Sequence, residues 1–300
     1  MRFPRCTRST SSTESARPAE RQRGNRQPRY FMISNAARFL MVSAAASLVA
    51  LGPAPADACS LLSDGALDFV AGNHQTGSGA VFLTEVQKEV FWVNEDEELD
   101  AMLDASNTAF YWGSTSPSSE KYYDKFSDTS LAHVTQVSNV NDIAAGDVLV
   151  IDKTMTYGGH TVIITGPAEL ISPINPTRLG TLQWAVPIAD STSSAHGCSA
   201  AFPDSRWSSI STSGSTTTCT GFTSGVGTGF MRIYTDSSGV PVGHTWSVAV
   251  ASKTNYFPIS STATGSGTDV GAPRPFVIGR LTPGVDENDP GYCPLPAPAE

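Results

Sequence analysis

The sequence has little that would take the chain into a membrane or onto nucleic acid. Its apolar run at residues 39–51 is about 13 residues long, short of the roughly 20 that cross a bilayer. After residue 58 the chain carries only 10 basic side chains against 25 acidic ones. Binding to nucleic acid depends on neutralising phosphates with Lys and Arg. We therefore expect no transmembrane segment and no nucleic-acid partner.

Motifs for metals and phosphates are also missing. No grouping of His, Cys and Asp has the spacing of a zinc site. The Gly-rich stretch SGVGTGF, residues 224–230, lacks the Lys-Ser/Thr pair and the following helix of a phosphate-binding loop. The sequence therefore predicts neither a metal site nor a cofactor.

The N-terminal part has the composition of a targeting region. Residues 1–31 hold eight Arg and two Glu without an apolar period, which indicates a disordered basic leader or a mis-called start. Residues 32–58 combine Arg38, the apolar run and an Ala-Asp-Ala cleavage motif, which is the layout of a signal peptide cleaved after Ala58. A lipoprotein with an acylated Cys59 is the alternative. We expect a protein that is secreted or held in the periplasm or cell envelope.

Four cysteines follow the predicted cleavage site: Cys59, Cys198, Cys219 and Cys293. An exported protein lives in a compartment where disulfides persist. Cys198 and Cys219 lie in one Ser/Thr/Gly-rich segment, so we predict a bridge between them. Cys59 and Cys293 would then pair with each other or stay free.

Helical patterns come first along the chain and strand patterns follow. Residues 61–72 and 96–106 have helical signals, residues 81–93 are ambiguous, and an aromatic cluster at 111–126 indicates core. Residues 191–229 read as a long loop. We predict one α+β domain over residues 59–282, with N-terminal helices packed on a mostly antiparallel β-sheet, and a Pro-rich tail at 283–300. The predicted strands are Val148–Ile151, Thr161–Thr165, Trp184–Ile188, Phe230–Tyr234, Thr245–Ala249 and Phe276–Leu281.

His160 begins one predicted strand and Asp190 ends the next. If these strands are antiparallel neighbours, the two side chains meet at one edge of the sheet. A carboxylate there would fix the imidazole tautomer and stabilise its protonated form. The alternative is structural: His160 caps a strand, and Asp190 makes an Asx turn with the serines behind it.

The segments GDVLVID…GGHTVIITGP and IADSTSSAHG resemble the His and Asp/His segments of the NlpC/P60 superfamily of papain-like hydrolases. The resemblance implies a small antiparallel sheet packed on helices, with His160 as the base and Asp190 as the orienting residue. It also implies a nucleophilic Cys at the N-terminus of a helix ahead of the sheet. Cys59 is the candidate in the expected order, and Cys219 is a second option in a rearranged order. The third option is a scaffold without a cysteine nucleophile.

Three further residues, His196, Arg206 and Trp207, are candidates for binding residues of the cleft. His196 could line the cleft, and Arg206 and Trp207 could shape its rim together with Asp204. The ordinary alternatives are a solvated loop histidine and a buried Arg–Trp stack.

The resemblance implies hydrolysis of amide bonds in cell-wall or other exported peptides, by Cys59, His160 and Asp190. A catalytically inactive envelope binding module, stapled by disulfides, is the alternative. A secreted adhesion-type β protein is a third hypothesis, which leaves the early helices unexplained. We expect a monomer.

Overall fold

The computed structural model describes residues 61–91, 106–248, 255–261 and 270–281. Helix α1 spans Leu61–Ala71 and α2 spans Ala80–Phe91; residues 106–112 form α3, and α4 spans Ser119–Ser127. Ser118 caps α4 by accepting a hydrogen bond from the backbone of Lys121. The predicted helix over 96–106 lies almost entirely outside the described residues. None of the described helices is both long and apolar enough to cross a bilayer.

The strands follow the helices in the chain, and every described strand pair is antiparallel. This arrangement confirms the α+β class. The strands are β1 (Val134–Gln136), β2 (Val148–Ile151), β3 (His160–Ile164), β4 (Glu169–Ile171), β5 (Leu182–Thr192), β6 (Trp207–Ser213), β7 (Thr216–Phe222), β8 (Gly225–Thr235), β9 (Pro241–Thr245), β10 (Phe257–Pro258) and β11 (Phe276–Leu281).

Nine of these strands form the main sheet, in the order β1-β11-β2-β3-β5-β8-β9-β10, with β4 paired to β5. Alternate residues of a strand point to opposite faces. Val148 and Val150 of β2 therefore pack on the helices, beside Phe82 of α2 and Phe126 of α4. The helices cover one face of the sheet, as the sequence predicts.

The opposite face encloses a second apolar cluster. Leu149 and Ile151 of β2 contribute to this cluster together with Ile233 of β8. Residues 270–275, just before β11, bond back to β10: the Gly271 and Arg274 amides donate to backbone carbonyls of residues 256 and 258. The sheet therefore curls toward itself, and this cluster fills its inner side.

Several strand predictions need correction. The segment 191–229 is not a loop throughout, because β6 and β7 form a separate two-stranded hairpin within it. The strand predicted at 245–249 is wrong as well, since β9 runs from Pro241 to Thr245. Strands β5 and β8 are 11 residues each, longer than predicted, and pair along their whole length. The predictions for β2 and β11 are confirmed.

Candidate functional site

His160 and Asp190 meet where the sequence places them. Strand β3 pairs antiparallel with β5, with Ile163 opposite Ala189. This register brings the start of β3 beside the end of β5, and Nε2 of His160 lies 2.7 Å from Oδ2 of Asp190. Asp190 is fully buried and His160 is nearly so. An imidazole and a carboxylate are thus fixed on two adjacent strands.

Asp190 is the centre of a larger buried cluster. Its Oδ2 also lies 3.1 Å from Nε2 of His196, and its Oδ1 accepts a hydrogen bond of 2.9 Å from a guanidinium nitrogen of Arg206. Arg206 donates through Nε to Asp204 at 2.9 Å, and the Asp204 carboxylate accepts from the His196 backbone amide at 2.7 Å. Every member is buried, so the charges are poorly screened by solvent and hold one another in place.

The hydrogen bonds define where the protons sit. A backbone carbonyl only accepts, so Nδ1 of His196 carries the hydrogen that it shares with the Trp246 carbonyl at 2.7 Å. Nε2 of His196 faces the ionised Asp190 carboxylate, which also only accepts. Both ring nitrogens of His196 therefore face hydrogen-bond acceptors. Nε2 of His160 faces the same carboxylate, which leaves Nδ1 as the ring nitrogen of His160 that Asp190 does not hold.

The electrostatics of Asp190 agree with this arrangement. Burial by itself raises the pKa of the Asp190 carboxyl, but His196 and His160 beside it hold that pKa well below its usual range. The pKa of the Arg206 guanidinium lies above its usual value. Burial lowers this pKa, but the neighbouring carboxylates of Asp190 and Asp204 raise it by more. The carboxylate is therefore ionised at neutral pH.

A cavity of about 510 Å³ opens beside His160. Its walls include Ser78 from the turn before α2 and Trp246 from the segment after β9. The Trp246 ring meets His160 edge-on at 4.9 Å and stacks on His196 at 4.2 Å, so it fixes both imidazoles. His160 is the member of the buried cluster that reaches the cavity.

The N-terminus of α2 lies against the free nitrogen of His160. A Cβ added to Gly79 would sit 2.9 Å from Nδ1 of His160, closer than real side chains approach, and Gly79 has a φ of +50°. Both features require glycine there. The Gly79 amide donates to the Ser191 carbonyl at 2.9 Å, which anchors this turn to β5.

Neither of the two cysteines that the structure describes lines the cavity beside His160. Cys198 and Cys219 form the predicted disulfide, which ties β7 to the segment after β5. Cys219 is therefore oxidised and is not a thiolate nucleophile. Cys59 and Cys293 lie outside the described residues. Leu61, two residues after Cys59, begins α1, whose Gly65 packs against Val90 near the C-terminal end of α2.

The three predicted cleft residues lie around or beyond the cluster. His196 and Arg206 are buried against Asp190, so the alternative of a solvated loop histidine is wrong. Trp207 packs on Phe222 at the base of the β6–β7 hairpin and donates to the Gly197 carbonyl at 2.8 Å. None of the three is among the described residues that line the cavity.

Sequence reasoning missed Trp246 and Gly79. It included Asp204 as a residue of the cleft rim but not as the partner of Arg206, although the two stand two residues apart in PDSRW, a usable signal for a local ion pair. Trp246 and Gly79 carry no local signal, because each reaches the site through a contact distant in sequence.

The described residues contain no group of three or more His, Cys, Asp or Glu side chains placed to hold a metal ion. No family model matches the chain, and neither a curated protein nor a solved structure shows detectable similarity to it. The site must therefore be interpreted from its own geometry.

Proposed function

We propose that this protein is an exported envelope module with an NlpC/P60-like scaffold, and that it binds peptides in the cavity beside His160 without hydrolysing them. One observation carries the proposal. The resemblance calls for a cysteine at the N-terminus of a helix ahead of the sheet, and the described helix whose N-terminus meets Nδ1 of His160 is α2, which presents Gly79 there. The Gly79 backbone leaves no room for a side chain, and therefore none for a thiol, at that position.

The remaining geometry suits binding. His160 lines the cavity, its Nε2 is held by Asp190, and Nδ1 is the ring nitrogen left for an amide N–H of a peptide ligand. Ser78 and Trp246 add a hydroxyl and an aromatic surface. Ligand pockets of a few hundred Å³ with a few fixed polar groups are typical of small-molecule and peptide sites.

The test separates binding from turnover. The exported protein is titrated with a soluble peptidoglycan stem peptide by calorimetry, and the mixture is analysed by mass spectrometry after prolonged incubation. We expect saturable binding and an intact peptide. His160→Ala should weaken binding about tenfold or more, because it removes an oriented hydrogen bond at a desolvated site. His74→Ala, an exposed histidine outside this cavity, is the matched control.

Cleavage of the peptide would overturn the proposal. Cleavage lost in Cys59→Ser would instead support the cysteine hydrolase that the resemblance implies. Fast modification of Cys59 by iodoacetamide near neutral pH would point the same way.

A second candidate is hydrolysis with Ser78 as the nucleophile, favoured by its position in the wall of the cavity that contains His160. The Ser78 oxygen would bond to the amide carbon, and its proton would pass to Nδ1 of His160 and then to the leaving amine. Water would release the acyl group by the same route. Ser78→Ala should abolish turnover under this candidate, whereas the binding module should keep most of its affinity.

A further inference from the structure

Arg274 is held in an unusual way in the wall of the same cavity. It lies just before β11, and its guanidinium carbon is 3.8 Å from the centre of the Tyr157 ring and 3.7 Å from that of Phe257. The two rings hold the guanidinium by cation–π contact. The rings orient the guanidinium, and no described residue accepts a hydrogen bond from its N–H groups.

No described acidic residue pairs with Arg274. Arg206 and Arg280, by contrast, each form an ion pair with a buried aspartate. Arg274 is half-buried, and burial lowers the pKa of its guanidinium. A partly desolvated cation without a described counterion is a natural binding point for an anion, because the aromatic contacts replace only part of its hydration.

Its position makes this cation part of the candidate site. Arg274, Tyr157 and Phe257 line the cavity together with His160. No acidic residue is among the described lining residues, and the buried carboxylates of Asp190 and Asp204 both accept hydrogen bonds from Arg206. A ligand in the cavity therefore meets the Arg274 guanidinium and the His160 ring.

We propose that Arg274 is a carboxylate-binding residue, and that the cavity selects peptides carrying a carboxylate which pairs with its guanidinium while an amide N–H donates to His160. This inference rests on the proposed peptide-binding function and specifies its ligand class. The carboxylate could be the free C-terminus of the peptide or an acidic side chain. A planar guanidinium that offers parallel donors suits either one.

The experiment compares four forms of one stem peptide: unmodified, amidated at the C-terminus only, amidated at the side-chain carboxylates only, and fully amidated. Each is titrated by calorimetry into the wild-type protein, Arg274→Gln, Arg274→Lys and Arg178→Gln. Arg178 also lies over an aromatic ring but is outside this cavity, so it is the matched control.

We expect amidation of one carboxylate to weaken wild-type binding on the order of 10- to 100-fold, the usual range for a charge-assisted hydrogen bond. Whichever single amidation causes this loss identifies the source of the carboxylate. Arg274→Gln should bind the unmodified peptide more weakly than wild type by the same factor, and it should bind the fully amidated peptide as well as wild type does. The affinity of Arg274→Lys for the unmodified peptide should lie between the two. Arg178→Gln should behave as wild type.

Two failures are distinguishable. If the wild type binds all four peptides equally and Arg274→Gln does the same, the carboxylate site is refuted and the peptide-binding function stands. If the wild type binds none of them, the proposed function fails and takes this inference with it. Thermal unfolding of each variant separates lost binding from lost folding.

Discussion

Replacing Asp190 by Asn tests the buried cluster most directly. The side-chain amide would keep one acceptor but turn N–H groups toward donors that now bond to the carboxylate at 2.7–3.1 Å. Arg206, whose side chain is only 2% exposed, would lose one of its two counterions. Removing one partner of a buried ion pair costs about 3–5 kcal/mol, since the other charge stays buried. We expect a loss of that size in the free energy of unfolding.

Urea denaturation followed by tryptophan fluorescence measures the loss at pH 7. The matched control is Glu120→Gln, which breaks the exposed Lys153–Glu120 pair, with side chains 54% and 51% exposed. Exposed ion pairs contribute about 0.2–1 kcal/mol to stability, so the free energy of unfolding of Glu120→Gln should stay close to that of wild type. If Asp190→Asn cost no more than this control, the cluster would not be the buried charge network described above.

The free energies of unfolding of wild type and Asp190→Asn should also depend on pH in different ways. His196 and His160 hold the pKa of Asp190 well below its usual range even though burial opposes them. A carboxyl in an unfolded chain has a pKa of about 3.9. The stability contributed by the ionised group is therefore fully present above about pH 4 and is lost as the pH falls toward the folded-state pKa. The difference in the free energy of unfolding between wild type and Asp190→Asn should narrow as the pH falls below 4. A difference in the free energy of unfolding that stays the same down to pH 3 would contradict the pH dependence expected from the lowered pKa of Asp190.

Three further predictions concern the disulfide, a glycine and a buried histidine. Replacing both Cys198 and Cys219 by Ser should lower the free energy of unfolding by about 3 kcal/mol, as expected for a loop of this length; equal stability of reduced and oxidised wild type would argue against it. Gly79→Ala and Gly113→Ala both place a side chain at positive φ and should each cost about 1–2 kcal/mol. Only Gly79→Ala should also weaken peptide binding, because no atom lies within 4 Å of a Cβ at Gly113. Burial is the main cause that lowers the pKa of His244 to about 3, so wild type should lose about 2 kcal/mol between pH 6.5 and 5 that His244→Phe does not lose.

The sequence was most informative where burial imposes a regular pattern. Strands β2 and β11 are short apolar runs bounded by turn residues, and both were located correctly. The meeting of His160 and Asp190 was predicted on the condition that their two strands are antiparallel neighbours, and β3 and β5 meet that condition. Because the ends of neighbouring strands coincide at a sheet edge, two residues 30 apart could be placed together without knowledge of the loops.

The failures occurred where that pattern is absent. The β6–β7 hairpin is exposed along most of both strands, so its Ser and Thr residues show no apolar alternation and resemble a loop. His196 and Arg206 were recognised as candidates, but their burial depends on charge pairing with Asp190, which local polarity does not reveal. The approach of Gly79 to His160 joins residues 81 positions apart, and the only local sign of it is a glycine.

A buried group of two carboxylates, a guanidinium and two imidazole rings is an inefficient way to stabilise a fold, because apolar residues of equal volume often serve as well. The buried cluster is better explained by its effect on His160, the member of the cluster that lines the cavity. The carboxylate fixes the hydrogen of His160 on Nε2, and Trp246 restricts the ring. Nδ1 is thereby the ring nitrogen left for a ligand, and its direction is fixed. Such pre-organisation strengthens the binding of a peptide N–H, since the protein need not reorganise when the ligand arrives.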